Sequence, residues 1–210
     1  MDVTAAQARI REVQRIMERT TLYTLLPGTA AIVGGFAALA GCFAGYLMIR
    51  SVDLADLLRT PMHTQIAFCV MWLLVGLFAV TQEIIFTTRA ARRHGLKPMT
   101  RPARFVTLSL TPSVLVAVVL TVEFLLIAQP AQLRYIVPAW MMCYGTGVYA
   151  AGLFSYRLPR LLGLAFIVSG ALGLLLLPQY GLVLAAFSFG LLHIVFGILV
   201  LARARQDGEQ

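Results

Sequence analysis

Six apolar runs of roughly twenty residues each, 22–49, 65–88, 105–128, 135–155, 158–177 and 182–202, take up most of this chain. A helix rising 1.5 Å per residue crosses the ~30 Å hydrocarbon core of a bilayer in about 20 residues. Only helices and closed barrels satisfy every backbone group in lipid. Hydrophobic residues fill 60% of the 210 positions and charged residues only 12%, whereas a soluble domain carries roughly 25% charged residues. The expected fold is therefore all-α: a polytopic bundle of six transmembrane helices over residues 22–202. A cytoplasmic amphipathic helix (1–21) precedes it and a cytoplasmic tail (203–210) follows.

The net charge of +8 would suit a nucleic-acid binder, but its distribution argues for orientation instead. With an even number of crossings, the N-terminal segment, the second loop, the fourth loop and the C-terminus share one side. Those segments carry fourteen of the 17 Lys and Arg residues; the other side carries Arg50, Arg59 and Arg134. Basic residues collect on the cytoplasmic side, so both termini are expected inside the inner membrane. No direct nucleic-acid binding is expected, and the basic segments would also attract anionic lipid.

The segment "TAAQARIREVQRIMERT" (4–20) places Ala6, Ile10, Val13 and Met17 at helical spacing, with Arg9, Glu12, Arg15 and Arg19 largely elsewhere. Such a helix lies on the inner leaflet or docks a cytoplasmic or membrane protein partner; the plainer reading is a lead-in that only orients the first crossing. In the first apolar run, Gly34, Ala38, Gly41 and Gly45 are small, and Gly41 and Gly45 form a small-xxx-small pair that admits a close neighbour, a second copy of the chain included. "LAGC", ending at Cys42, matches a lipoprotein cleavage pattern, but the apolar run continues past the cysteine. Cys42, Cys69 and Cys143 all fall in apolar runs, and no Cys-x-x-Cys pair occurs.

Ionisable residues at membrane depth are costly and mark sites. Three stand out: Glu123 towards the outer side, His193 near the midplane and Glu83 towards the inner side. Staggered in this way they suit a proton or cation path, since histidine titrates near neutrality. Interfacial pairing of Glu83 with Arg89 or Arg92, and of Glu123 with Arg134 or with a water-filled vestibule, is the plainer reading. Ala186, Gly190 and Gly197 lie on a narrow arc with His193, a groove that another helix would fill, so His193 is expected to point inward. Tyr144, at similar depth in the fourth run, is its expected hydrogen-bond partner.

Other chemistry finds less support. His63 and His94 lie away from the depth of His193, which leaves no bis-histidine pair for haem, and no cofactor is expected. No metal-ligand spacing and no nucleotide-binding glycine loop occurs. Ser169 in "VSGALG" faces His193 across the last hairpin, the layout of a rhomboid-type Ser–His dyad, but Ile167 stands where that motif has glycine and no oxyanion donor is evident.

Three stretches carry a family resemblance: "IREVQRIMERTT" (10–21), the basic segment 89–104, and "PQYGLVLAAFSFGLLHIVFG" (178–197), with Pro138 and Tyr144–Gly145 upstream. They resemble an uncharacterised group of small six-helix bacterial inner-membrane proteins with a similar Met-Glu-Arg lead-in and a Gly-x-x-His-Ile-x-x-Gly signature in the last helix. This chain departs at Ala150, where the group has asparagine, at Phe166, near a frequent acid, and at Ser169, where the group has no serine. Genes of the group often lie beside a small winged-helix regulator, which implies a regulatory link. The function expected is thus a non-enzymatic sensory, regulatory or structural membrane component. A small proton-coupled permease using Glu83, Glu123 and His193 is the alternative, and an intramembrane Ser/His hydrolase the second.

Overall fold

The computed structural model describes residues 28–93, 101–127, 129–153 and 157–208, and they are helical throughout apart from short connections. The helices are α1 (Gly28–Ile49), α2 (Met62–Arg93), α3 (Arg101–Ile127), the single turn α4 (Pro130–Leu133), α5 (Ile136–Leu153) and α6 (Arg157–Leu176). The last apolar run forms α7 (Gly181–Ala185), a π-helical segment (Ala186–Leu192) and α8 (His193–Gly208). The amphipathic segment 1–21, residues 22–27 and the centre of the basic loop (94–100) lie outside the described residues.

Five helical stretches are long and apolar enough to cross a membrane: Gly28–Ile49, Met62–Arg93, Val106–Ile127, Arg157–Leu176 and Pro178–Gln206. The chain is thus an all-helical, multi-pass membrane protein. The expected fourth crossing is the exception. α5 has only 18 residues and carries Trp140, Tyr144, Thr146 and Tyr149, which makes it the least apolar of the six. It nevertheless runs antiparallel to both neighbours. Gly147 meets Leu110 and Ser113 of α3 while Trp140 bonds Thr121; Gly145 meets Gly163 of α6 while Met141 and Met142 meet Gly170.

Several expected boundaries change, and α8 runs through most of the expected tail (203–210) to Gly208. α2 extends beyond the expected 65–88 at both ends, because Arg89, Arg92 and Arg93 continue the helix as its last turn, where cations are favourable. α3 starts at Arg101, ahead of the expected 105.

The helices form two groups. In one, α1 packs against α2 and also against the π segment and α8; in the second, α5 packs between α3 and α6. α2 and α3 are therefore flanks, each attached to its own group, and most of their surface is exposed. Glycine sets the spacing within each group. A β-carbon on Gly28 would lie 2.5 Å from the Gly197 carbonyl oxygen, and one on Gly163 would lie 2.5 Å from the Tyr149 amide nitrogen. Lipid tails are as apolar as leucine, so such close backbone packing, rather than water exclusion, holds membrane helices together.

At the end away from the basic loop the two groups join. A 3₁₀ turn (Leu54–Arg59) leads from α1 to α2, and Ile49, Leu54, Leu57, Phe68, Leu133 and Leu182 pack there in one cluster. Asp53 caps this turn by accepting from the Ala55 amide at 2.9 Å, and Arg134 donates to the same carboxylate from Nη2 at 2.6 Å and from Nε at 2.9 Å. The Leu182 amide adds a backbone bond of 3.1 Å to the Val52 carbonyl. Arg134 thus pairs with Asp53 and not, as expected, with Glu123. The reason is position: the α4 turn sets Arg134 beside the 3₁₀ turn.

Two outcomes follow for stability. Gly163→Ala drives a methyl into backbone and should cost about 1–3 kcal/mol. Gly76→Ala, with nothing within 4 Å of the added carbon, should be neutral or stabilising by up to about 1 kcal/mol; thermal unfolding in detergent reads both. The second outcome concerns Asp53. Partial burial pushes its carboxyl up, but the Arg134 hydrogen bonds, the Ala55 amide and the charges of Arg134 and Arg59 together hold it below the ordinary carboxylate value. A carboxyl lowered in the folded state contributes above its unfolded value of about 3.9 and loses that contribution as pH falls through the folded value. Unfolding curves of wild type and Asp53→Asn should therefore differ at neutral pH and converge in strong acid.

Candidate functional site

Where α8 begins, the helix places an imidazole between the two groups. His193 Nε2 lies 2.9 Å from the Tyr144 hydroxyl on α5, and its Nδ1 lies 3.3 Å from the Ser188 carbonyl oxygen. A carbonyl only accepts, so Nδ1 carries the proton and the bare Nε2 accepts from the Tyr144 O–H. The π segment makes this possible. At its end the His193 backbone amide bonds the Gly190 carbonyl, and the imidazole folds back on the carbonyl of Ser188. Such π insertions recur at functional positions in helices.

Aromatic rings surround the pair. Phe166, fully buried on α6, lies 5.1 Å from the Tyr144 ring and edge-on to His193 at 5.3 Å; Phe189 stacks on His193 at 6.1 Å. Tyr144 and His193 are themselves each partly buried.

Glu83 lies at a neighbouring depth on α2. Gly35 on α1 meets Gly190 and Ile194, while Gly34 meets Gln82. This register sets Glu83 about one turn, roughly 5 Å, below His193 towards the basic end. Glu83 is exposed, accepts a 3.4 Å hydrogen bond from Thr87 and lies within electrostatic range of Tyr144. It sits nearer mid-depth than expected because α2 runs on to Arg93 below it. Glu123 does not join them. It is exposed on α3 towards the opposite end, and Tyr144 takes its place in the constellation.

The expected groove is divided. Gly190 and Gly197 face α1, against Leu39 and against Gly28 and Ile32, whereas His193 turns to α5 and α6. Ala186 is half-buried at the start of the π segment while Ala185 and Ser188 take the buried positions, because the wider π turns change the register that a regular helix would keep. Gly41 packs on Val75 and Trp72, and Gly45 on Phe68 and Leu182. Cys42 is buried inside α1, Cys69 is exposed and Cys143 half-buried.

Ser169 forms no bond to His193. Its hydroxyl donates to the Ala165 carbonyl of its own helix at 2.5 Å, and both imidazole nitrogens have other partners. No group of three or more His, Cys, Asp or Glu side chains gathers at metal-binding distance among the described residues.

Two polar contacts give no signal in the sequence beyond a polar residue inside an apolar run. Gln82, 8% exposed, donates from Nε2 to the Ala30 carbonyl at 3.1 Å and holds α2 on α1, with its Oε1 unpartnered. Trp140 donates to Thr121 Oγ1 at 2.7 Å and holds α5 on α3.

Comparison with protein-family models, curated proteins and solved structures finds no match to this chain.

A double-mutant cycle on Tyr144→Phe and His193→Leu should give a coupling of about 0.6–2 kcal/mol, the span found for hydrogen bonds between membrane helices. Ser169→Ala should change stability by less than about 0.5 kcal/mol and leave that coupling intact.

Proposed function

We propose that this chain is a non-enzymatic sensory or regulatory component of the bacterial inner membrane, crossing it six times with both ends in the cytoplasm. The observation carrying this reading is where the polar side chains go. Tyr144–His193, Trp140–Thr121, Gln82–Ala30 and Asp53–Arg134 all join one helix or turn to another. Ser169 and Ser188 bond their own helices, at the Ala165 and Leu184 carbonyls. This polar inventory ties elements together, and neither serine hydroxyl is bonded to an imidazole or a carboxylate. The antiparallel packing of α5 between α3 and α6 supports a sixth crossing, and the basic segments support the inward orientation. The family resemblance adds a regulatory partner on the cytoplasmic side, for which the sequences of residues 1–21 and 89–104 are the candidate docking segments.

A second reading, a small proton-coupled permease, is favoured by one observation: an exposed Glu83 one turn from a half-buried His193. Two experiments separate the readings. Photo-crosslinkers at residues 9–17 and 94–98 of the full chain in living cells should trap one specific protein under the first reading; absence of any specific product counts against it. Proteoliposomes should show no proton flux under the first reading, and a flux lost in Glu83→Gln under the second.

A further inference from the structure

We infer that Glu83, Tyr144 and His193 form one proton-binding site, entered from the end of the bundle where α2 ends and α3 begins. It stands whether the bound proton drives transport or a change of conformation.

The tautomer defines where the proton goes. Nδ1 already carries hydrogen, directed at the Ser188 carbonyl, so Nε2 holds the free lone pair. A proton delivered by water attaches there and makes the imidazolium. Nε2–H then donates to the Tyr144 oxygen, and the Tyr144 O–H, which had pointed at Nε2, is released to another acceptor. No bond between heavy atoms changes. The tyrosine hydrogen bond reverses direction, and its hydroxyl becomes free to turn towards the carboxylate on α2.

The charge balance favours this site over an isolated histidine. An imidazolium alone at membrane depth is costly, and so is a lone carboxylate. With Glu83 ionised, the empty site carries one negative charge and the loaded site none. Glu83 is the acid within electrostatic range of Tyr144, and the α1–α2 and α1–α8 registers place it about one turn, roughly 5 Å, from His193 in depth. The elements packed on His193 bring no competing charge at this level. α5 presents Tyr144, α6 presents Phe166, the π segment presents Ser188 and Phe189, and α1 presents Gly35. Arg160, on the first turn of α6, stands six residues, about 9 Å of rise, from Phe166.

Access follows from the packing. The groups are joined by the Leu54–Leu133–Leu182 cluster and the Asp53–Arg134 pair at one end. Towards the other end α2 and α3 stay on their separate groups, and Glu83 is exposed between the site and that end.

The test uses the full chain in liposomes with ¹⁵N-labelled histidine, read by solid-state NMR across about pH 4 to 9. The His193 signals are assigned by their loss in His193→Ala, leaving His63 and His94. The expected result is a single Nδ1–H tautomer at high pH and a doubly protonated ring at low pH. Glu83→Gln should lower the midpoint by about one unit or more, a tenfold loss of proton affinity, because the opposite charge is gone. Glu123→Gln should leave it unchanged. A midpoint indifferent to Glu83→Gln, an equal shift in Glu123→Gln, or a His193 ring neutral across the whole range would each overturn the site.

Discussion

Gly28 and Gly197 lie so close that neither could carry a β-carbon without meeting the other's carbonyl oxygen, and Gly145 and Gly163 stand in the same relation across α5 and α6. These approaches matter more here than they would in water. A soluble bundle gains from removing leucine from solvent, but lipid offers leucine much the same surroundings as a protein interior. What remains is the sum of many short van der Waals contacts, and those need backbones that come near. The pairing of α1 with α8, and of α5 with α6, follows from glycine at these positions. α2 and α3, each attached along one stripe, have the exposed surfaces that lipid would cover.

Polar bonds add direction to that packing. Gln82 and Trp140 work within a group, pinning each flank to its neighbour. Asp53–Arg134 and Tyr144–His193 work between the groups, the first at one end and the second near mid-depth. The two differ in chemistry. A bidentate guanidinium–carboxylate pair is charge-assisted and geometrically demanding, well suited to holding an end shut. A tyrosine–histidine bond is neutral, and a single proton reverses it. The structure thus places its firm connection where the groups meet and its adjustable one near mid-depth.

How much of this the sequence carries depends on the kind of signal. Apolar runs are long and unambiguous, so the helical crossings are readable, and the arginines of the second loop mislead only by continuing α2. The Tyr144–His193 contact is readable because both residues sit at one depth in runs of opposite direction. Gln82 is not: a lone amide in an apolar run has no pattern until the Ala30 carbonyl is placed beside it. The π segment is hidden for a related reason. Residues 182–202 fit a straight helix as written, and only the packing of Gly190 and Gly197 on α1, with His193 turned to α5, reveals the changed register. Glu83 and Glu123 look equivalent in sequence, yet helix rotation and register bring one near Tyr144 and leave the other on the opposite part of α3.

The inferred proton site requires the acid on α2 to face water, and not lipid. Spin labels placed singly at residues 77 to 87 of the full chain in bilayers measure this directly, through collision with oxygen, which favours lipid, and with a water-soluble nickel chelate. The account predicts that position 83 favours the nickel chelate while Leu77 and Ile84, large exposed hydrophobics of the same helix, favour oxygen. Oxygen-dominated collision at 83, indistinguishable from that at 84, would contradict it.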